Sequence, residues 1–484
     1  MVHIFPRPYH CEEKEGNFVF ADKVYLILDA NFKNKKFIDW CPKFWNGFCV
    51  GKSELEIVFK QGIKGNAAIV LSPDVALSDN KTDFEYELVC NEKGFFITYT
   101  KEQGLIHAFL SALQLIGPYQ RATGKFSACA AFVQDKPALA MRGVHLCLFR
   151  QTSLMHLKKM VLVCAILKCS HVCIESWGSI KWETFAPLAW KDSYEKEEFK
   201  EIISFGRALG LEFMPFFNHL GHSPQSRGIT GKHVVLDQAP EYEEWFKQGG
   251  WAWNVDHPEV IEMHKALRKE ISEFFGEGEY FHIGGDEIGD YVGLWEDSDV
   301  NDSDGYARFL NRTAESVKQD LGRKPVMWGE MFLDRKDYPW PYCANTNEEF
   351  SFSPEKLTKD MYVVDWQYNI NEDKDETIRC LLEYIDPSKL IVSPWTGQER
   401  IKGRANLAKK NNLFGMIATT WGKDEDGIGD IIYSGRCMWE QDDTPYVELY
   451  SENAYVKSMM SKMVRKLCPS DGTYENSGYK EKEF

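Results

Sequence analysis

YFHIGGDEIGD, residues 280–290, sets a short apolar run ahead of two glycines and two adjacent carboxylates, Asp286 and Glu287. An apolar run closed by glycines reads as a buried strand leaving its sheet through a tight turn. On a regular strand, neighbouring acids would point to opposite faces. Gly284 and Gly285 lift that constraint, because glycine turns where other residues clash, so both acids can face one pocket. In a partly dry pocket the two cannot both ionise freely: one should hold its proton while the other stays charged. Such a pair can protonate a leaving oxygen and stabilise the positive charge left behind. A metal site or a buried ion-pair network would use the same two residues.

Seven more runs of this kind follow from Met141 onward. They are GVHLCLF (143–149), HVCIES (171–176), LEFMPFF (211–217), KPVMWG (324–329), MYVVDW (361–366), KLIVSPW (389–395) and FGMIATTW (414–421). Segments of helical period lie at 154–168, 195–209, 258–275 and 304–321. Eight near-continuous apolar strands, mostly alternating with helices, predict an α/β chain built on a closed (β/α)8 TIM barrel. A doubly wound open sheet would normally carry a glycine-rich phosphate turn after its first strand, and this chain has none there. The first part has another texture. YELVCNEKGFFITYT (86–100) predicts a hairpin and GLIHAFLSALQLI (104–116) a helix. We therefore expect a small α+β domain over 1–135, then the barrel over 136–484 with a C-terminal helical extension.

A barrel of this type builds its site at the C-terminal strand ends. The first strand starts at Arg142, and the second ends at Glu175, Ser176 and Trp177. The third ends in FFNHLGH, with Asn218, His219 and His222. The fifth brings Trp328 and Glu330, the sixth Asp365, Trp366 and Tyr368, the seventh Trp395 and the eighth Trp421. Tryptophan thus closes five of eight strands, which suits flat walls for a hydroxylated ligand better than core filler. Ligand-spaced histidines are scarce: only His222 and His282 lie close, and His282 is expected to point into the barrel wall. The segment from Asn218 to the helix near 258, including QGGWAWNVD (248–256), is too long for a plain connection and should cover the mouth.

The totals narrow the partners. Among 484 residues, 44% are apolar and 15 are Trp, enough for a large core. Lys and Arg total 57 against 73 Asp and Glu, a net charge of −16 that argues against nucleic acid or an anionic membrane as partner. The thirteen cysteines fit no zinc spacing or even framework and read as buried thiols of a reducing compartment. MVHIFPRPYHCEEKEG has no apolar leader and no run of 18 apolar residues occurs, so a cytoplasmic location is expected and the sequons at Asn80 and Asn311 should carry nothing.

H-x-G-G-D-E, from His282 to Glu287, resembles the signature of glycoside hydrolase family 20, the β-N-acetylhexosaminidases. The resemblance spans nearly the whole chain: the domain over 1–135, RG at 142–143, LEFMPFFNHLGH and KPVMWGE are all similar to family segments. CIESWG, ending the second strand, looks closer to the intracellular hexosaminidase-D-like branch. The resemblance implies exo-action on terminal β-linked GlcNAc or GalNAc, no cofactor, a glycan partner and possible homo-oligomers. It also implies a retaining mechanism in which the sugar's acetamido oxygen attacks, an exception to the two-carboxylate rule. Glu287 would be acid and then base, and Asp286 would bind the acetamido N–H. Arg142 would hold sugar hydroxyls, Trp328, Trp366 and Trp421 would pack on methyl and ring, and His222 with Glu175 would tune Glu287.

The chain departs from the family at several places. Cys147 replaces an Asp of the first strand. Trp395 stands where the seventh strand normally gives an acetamido-binding tyrosine, so Tyr368 is the substitute. Lys423, beside Asp424, replaces an acidic residue that reads sugar hydroxyls, and Arg227 in the long loop could meet an anionic substituent. Three other readings share these residues: a lacto-N-biosidase-type or sulfated-GlcNAc-specific relative, a barrel that only binds glycans, and a metal-dependent barrel hydrolase.

Overall fold

The computed structural model describes residues 3–77, 80–150, 152–223, 235–247, 250–288, 302–345, 352, 354–370, 374–421, 424–441 and 449–469. Eight parallel strands close a barrel in chain order: Met141–Cys147, His171–Glu175, Glu212–Phe216, Tyr280–His282, Lys324–Trp328, Tyr362–Asp365, Leu390–Val392 and Gly415–Ala418. The last pairs with the first, Met416 opposite Arg142. Every residue of the first strand is buried, as a strand covered on both faces must be. Met141, Cys173, Met214, Tyr280, Val326 and Ile417 help fill the lumen.

The helices between strands begin where the sequence can cap them. Ser153 accepts from the His156 amide at 3.1 Å to open Leu154–Ile166. Glu195 and Glu198 form a reciprocal box at the start of Lys196–Ala208, and Pro258 takes the first turn of Pro258–Phe275. Register then fixes depth. Cys147 is level with Glu175, Glu175 with Phe216, and Phe216 with His282. This ring of residues is the last layer beneath the mouth.

The first domain is a seven-stranded sheet drawn from residues 10–135. Its expected hairpin is Tyr86–Asn91 with Gly94–Tyr99, closing at Asn91 opposite Gly94, and its expected helix is Glu102–Gln114. The domain meets the barrel floor at Asp135. That buried carboxylate accepts from Tyr86 OH at 2.7 Å, Lys168 Nζ at 2.6 Å and Trp439 Nε1 at 2.9 Å. Three donors, one of them cationic, offset the cost of taking the charge out of water. The helix Leu449–Leu467 then returns to the first domain, where Lys466 Nζ donates to Phe48 O at 2.8 Å and Lys462 Nζ to Ile116 O at 3.1 Å. No helix among the described residues is long and apolar enough to cross a membrane.

Candidate active site

The fourth strand ends at His282, and the turn beyond it runs through left-handed backbone: φ is +75° at Gly284, +98° at Gly285 and +52° at Glu287. A side chain on Gly284 would put its Cβ 2.9 Å from Asn218 Oδ1, so glycine is required there by space as well as by φ. The turn aims both acids at one imidazole. His222 Nε2 lies 3.1 Å from Asp286 Oδ2 and 3.2 Å from Glu287 Oε2. Asp286 is buried, while the Glu287 side chain is 37% exposed and so open to a ligand. Among the described residues Asp286 Oδ1 is a buried acceptor with no hydrogen-bond partner.

Among the described residues, eight side chains line the resulting cavity of about 220 Å³: His222, Asp286, Glu287, Trp328, Trp366, Tyr368, Trp395 and Trp421. All eight stand among the residues singled out from sequence. Trp421 Nε1 donates to Tyr368 OH at 2.7 Å, and the Tyr368 ring lies 5.0 Å from Trp366 and 5.8 Å from Trp395. Trp328 lies deep, its ring 4.6 Å from His282, while Trp395 is partly exposed at the rim. Trp177 instead packs with Cys147, Phe149 and Trp190, behind Trp421.

Three placements correct the expectations. Arg142 does not reach the pocket. It lies five residues before the mouth layer, about 16 Å down the strand at ~3.3 Å per residue. Its guanidinium is spent on the floor, with Nε donating to Lys168 O and Nη1 to Leu139 O and Ala140 O, each at 2.9 Å, and it lies over the Trp439 ring. Past the end of the same strand lies Arg150, whose Nε meets Asp192 Oδ1 at 3.1 Å. Glu175 sits one layer below the pocket and is not among its lining residues. Its Oε2 meets His145 Nε2 at 2.9 Å and its Oε1 accepts from Asn218 Nδ2 at 2.5 Å. His282 faces the lumen, stacked 4.1 Å from Phe216, and burial pushes its pKa down to about 3. Arg227, Lys423 and the side chain of Asp424 lie outside the described residues.

Two residues to which the sequence assigned no role also touch the site. Trp251, from the long segment after the third strand, packs against His222 with ring centroids 4.4 Å apart and bonds the Glu287 main chain. Glu330, just past the fifth strand, accepts from the Glu287 amide and from Trp366 Nε1, each at 2.7 Å. Burial first, and then the charges of Asp286 and Glu287, push the Glu330 carboxyl up to about 8. A third carboxyl, beside the Asp286–Glu287 pair, is thus pushed toward its protonated form. Among the described residues no group of three or more His, Cys, Asp or Glu could hold a metal ion.

A closed (β/α)8 barrel with a turn-borne carboxylate pair over a pocket of four tryptophans has the architecture of a glycoside hydrolase. Residues 171–380 match the catalytic domain of glycosyl hydrolase family 20. It is 24% identical over 274 residues to Beta-hexosaminidase A of Caenorhabditis elegans, which spans 48% of this chain and 44% of that one. The Caenorhabditis briggsae protein of the same name is 22% identical over 360 residues, 63% of this chain and 60% of its own length. The chain therefore spans about half the length of these relatives. In fold it superposes on the beta-N-acetylhexosaminidase of Bacteroides fragilis with a TM-score of 0.70 at 16% identity, covering 95% of this chain and 96% of that one.

Proposed function

We propose that this chain is an exo-acting β-N-acetylhexosaminidase that releases terminal β-linked GlcNAc, GalNAc or both by a retaining, substrate-assisted reaction. The observation that carries the reading is Asp286 Oδ1, a buried acceptor lining the aromatic pocket beside the Glu287 carboxyl. An acetamido N–H is the donor that position suits. With that bond made, the acetamido oxygen is turned toward the anomeric carbon.

Glu287 gives its proton to the glycosidic oxygen as the acetamido oxygen forms the bond to the anomeric carbon. The aglycone leaves as an alcohol. Asp286 stabilises the oxazolinium cation that results. Glu287, now a carboxylate, takes a proton from water as the water attacks the same carbon, and two inversions give net retention. Tyr368 OH, which accepts from Trp421 Nε1, would donate to the acetamido oxygen. Trp328, Trp366 and Trp421 enclose methyl and ring, and Trp395 meets the ring at the rim. The names of the family relatives support the substrate class, and a family 20 enzyme of Vibrio harveyi has been solved in complex with N-acetylglucosamine. Thirteen cysteines, most of them buried, support a reducing, cytoplasmic setting, and CIESWG supports the hexosaminidase-D-like branch.

The test is hydrolysis of the 4-nitrophenyl β-glycosides of GlcNAc, GalNAc and glucose, with Glu287→Gln alongside. Turnover of the two N-acetyl sugars alone, lost in the variant, is expected. Comparable turnover of the glucoside would overturn acetamido participation, and glycan binding with no release would leave a lectin-like barrel.

A further inference from the structure

Glu330 belongs to neither the acid pair nor the pocket lining, yet it touches both. It lies on the short 3-10 turn Glu330–Phe332, directly after the last residues of the fifth strand, and is only 2% exposed. Its two oxygens are shared out: Oε1 takes the amide of Glu287 and Oε2 takes the indole N–H of Trp366. The first contact fixes a residue held at φ +52°, a conformation that a glutamate adopts only under constraint. The second fixes a wall of the cavity. We propose that Glu330 is a positioning residue for this reaction: one buried carboxyl ties the backbone of the acid/base Glu287 to the Trp366 wall, so that proton donor and sugar platform keep one geometry. The inference rests on the reading of Glu287 given above.

The surroundings give the bridge a second consequence. Asp286 and Glu287 face Glu330 from the fourth-strand turn, with His222 behind them. Tyr306, which donates to Gly285 O at 2.8 Å, approaches from the helix Asp302–Leu321, and the buried Cys343 thiol from the segment after the fifth strand. None of these is a fixed cation. A protonated Glu330 therefore keeps one negative charge out of the cluster at neutral pH while still accepting both N–H groups through its remaining lone pairs. When it ionises in alkaline solution, the added charge favours the protonated form of Glu287 next to it.

Glu330→Gln is the test. The amide keeps one acceptor oxygen but turns an NH2 toward the other donor, so one of the two ties is lost. We expect kcat on the GlcNAc aryl glycoside to fall on the order of 10²-fold, with KM within about threefold of wild type. Because the variant cannot ionise, the alkaline limb of its pH profile should move to lower pH. A loss equal at every pH, or an unchanged kcat, would overturn the proposal. A second measurement does not depend on turnover. In isotope-labelled protein, the indole N–H resonance of Trp366, assigned by its disappearance in Trp366→Phe, should shift between about pH 6 and 10 and stay flat in Glu330→Gln. A flat wild-type signal overturns the bridge. A shifting signal in a protein inactive on every glycoside would sink the proposed function and leave the bridge standing.

Discussion

Trp251 Nε1 donates to the main-chain carbonyl of Glu287 at 3.0 Å, while the same indole packs against the His222 ring. A residue from the segment after the third strand thus holds the acid's carbonyl, while Glu330 holds its amide. Trp251→Phe keeps the ring packing and removes the donor. One neutral hydrogen bond is worth about 1 kcal/mol, so kcat should fall roughly fivefold with KM nearly unchanged. Steady-state kinetics on the GlcNAc aryl glycoside check this, and a raised KM at constant kcat would contradict it.

Asp286→Asn keeps the size of the side chain but replaces an acceptor by a donor and removes the charge. Acetamido orientation and cation stabilisation should both fail. A fall of about 10²- to 10³-fold in kcat/KM is expected on N-acetyl substrates. The wild-type anomer formed first, followed by NMR, should be β. An α product would rule out the double displacement.

Arg142 should matter to stability rather than to binding. Arg142→Leu removes three donors from buried carbonyls under the barrel. A loss of about 2–4 kcal/mol is expected from the unfolding midpoint in urea, with the KM of the folded fraction unchanged. A raised KM would mean that the floor assignment is wrong.

The raised Glu330 carboxyl makes stability depend on pH in a defined sense. Folded protein keeps the proton up to about 8, whereas the unfolded chain releases it near 4.5. Between those values the folded state binds the extra proton, so the contribution of Glu330 to stability is whole below 4.5 and is lost as pH rises through 8. Wild type should therefore weaken relative to Glu330→Gln over that window in paired urea titrations. A constant difference would contradict the shift.

Much of the site was legible because strand direction converts position into depth. Asp286, Glu287, His222, Tyr368 and four of the five tryptophans follow strands whose C-terminal ends meet at one mouth, and the structure brings all of them to one cavity. Arg142 was misread for the same reason: it opens its strand, so direction sends it to the floor. Glu175 ends its strand but sits in the layer that register places under the pocket. Glu330 was visible as a strand-end acid. Its partners were not, because one is a backbone amide whose direction depends on three left-handed residues. Trp251 carried no signal beyond the length of its loop, since contact across such a segment is set by tertiary packing.

The helix Leu449–Leu467 closes over the first domain, where its two lysines reach Phe48 and Ile116. A ribosome making this chain releases the seven-stranded sheet hundreds of residues before that helix emerges. The carbonyls it covers, and the face of the helix Lys35–Cys49 against which it rests, stay open to other chains for all of that interval. The first domain to be synthesised is thus the last to be finished, and chaperone dependence in the nascent chain should centre on its outer face.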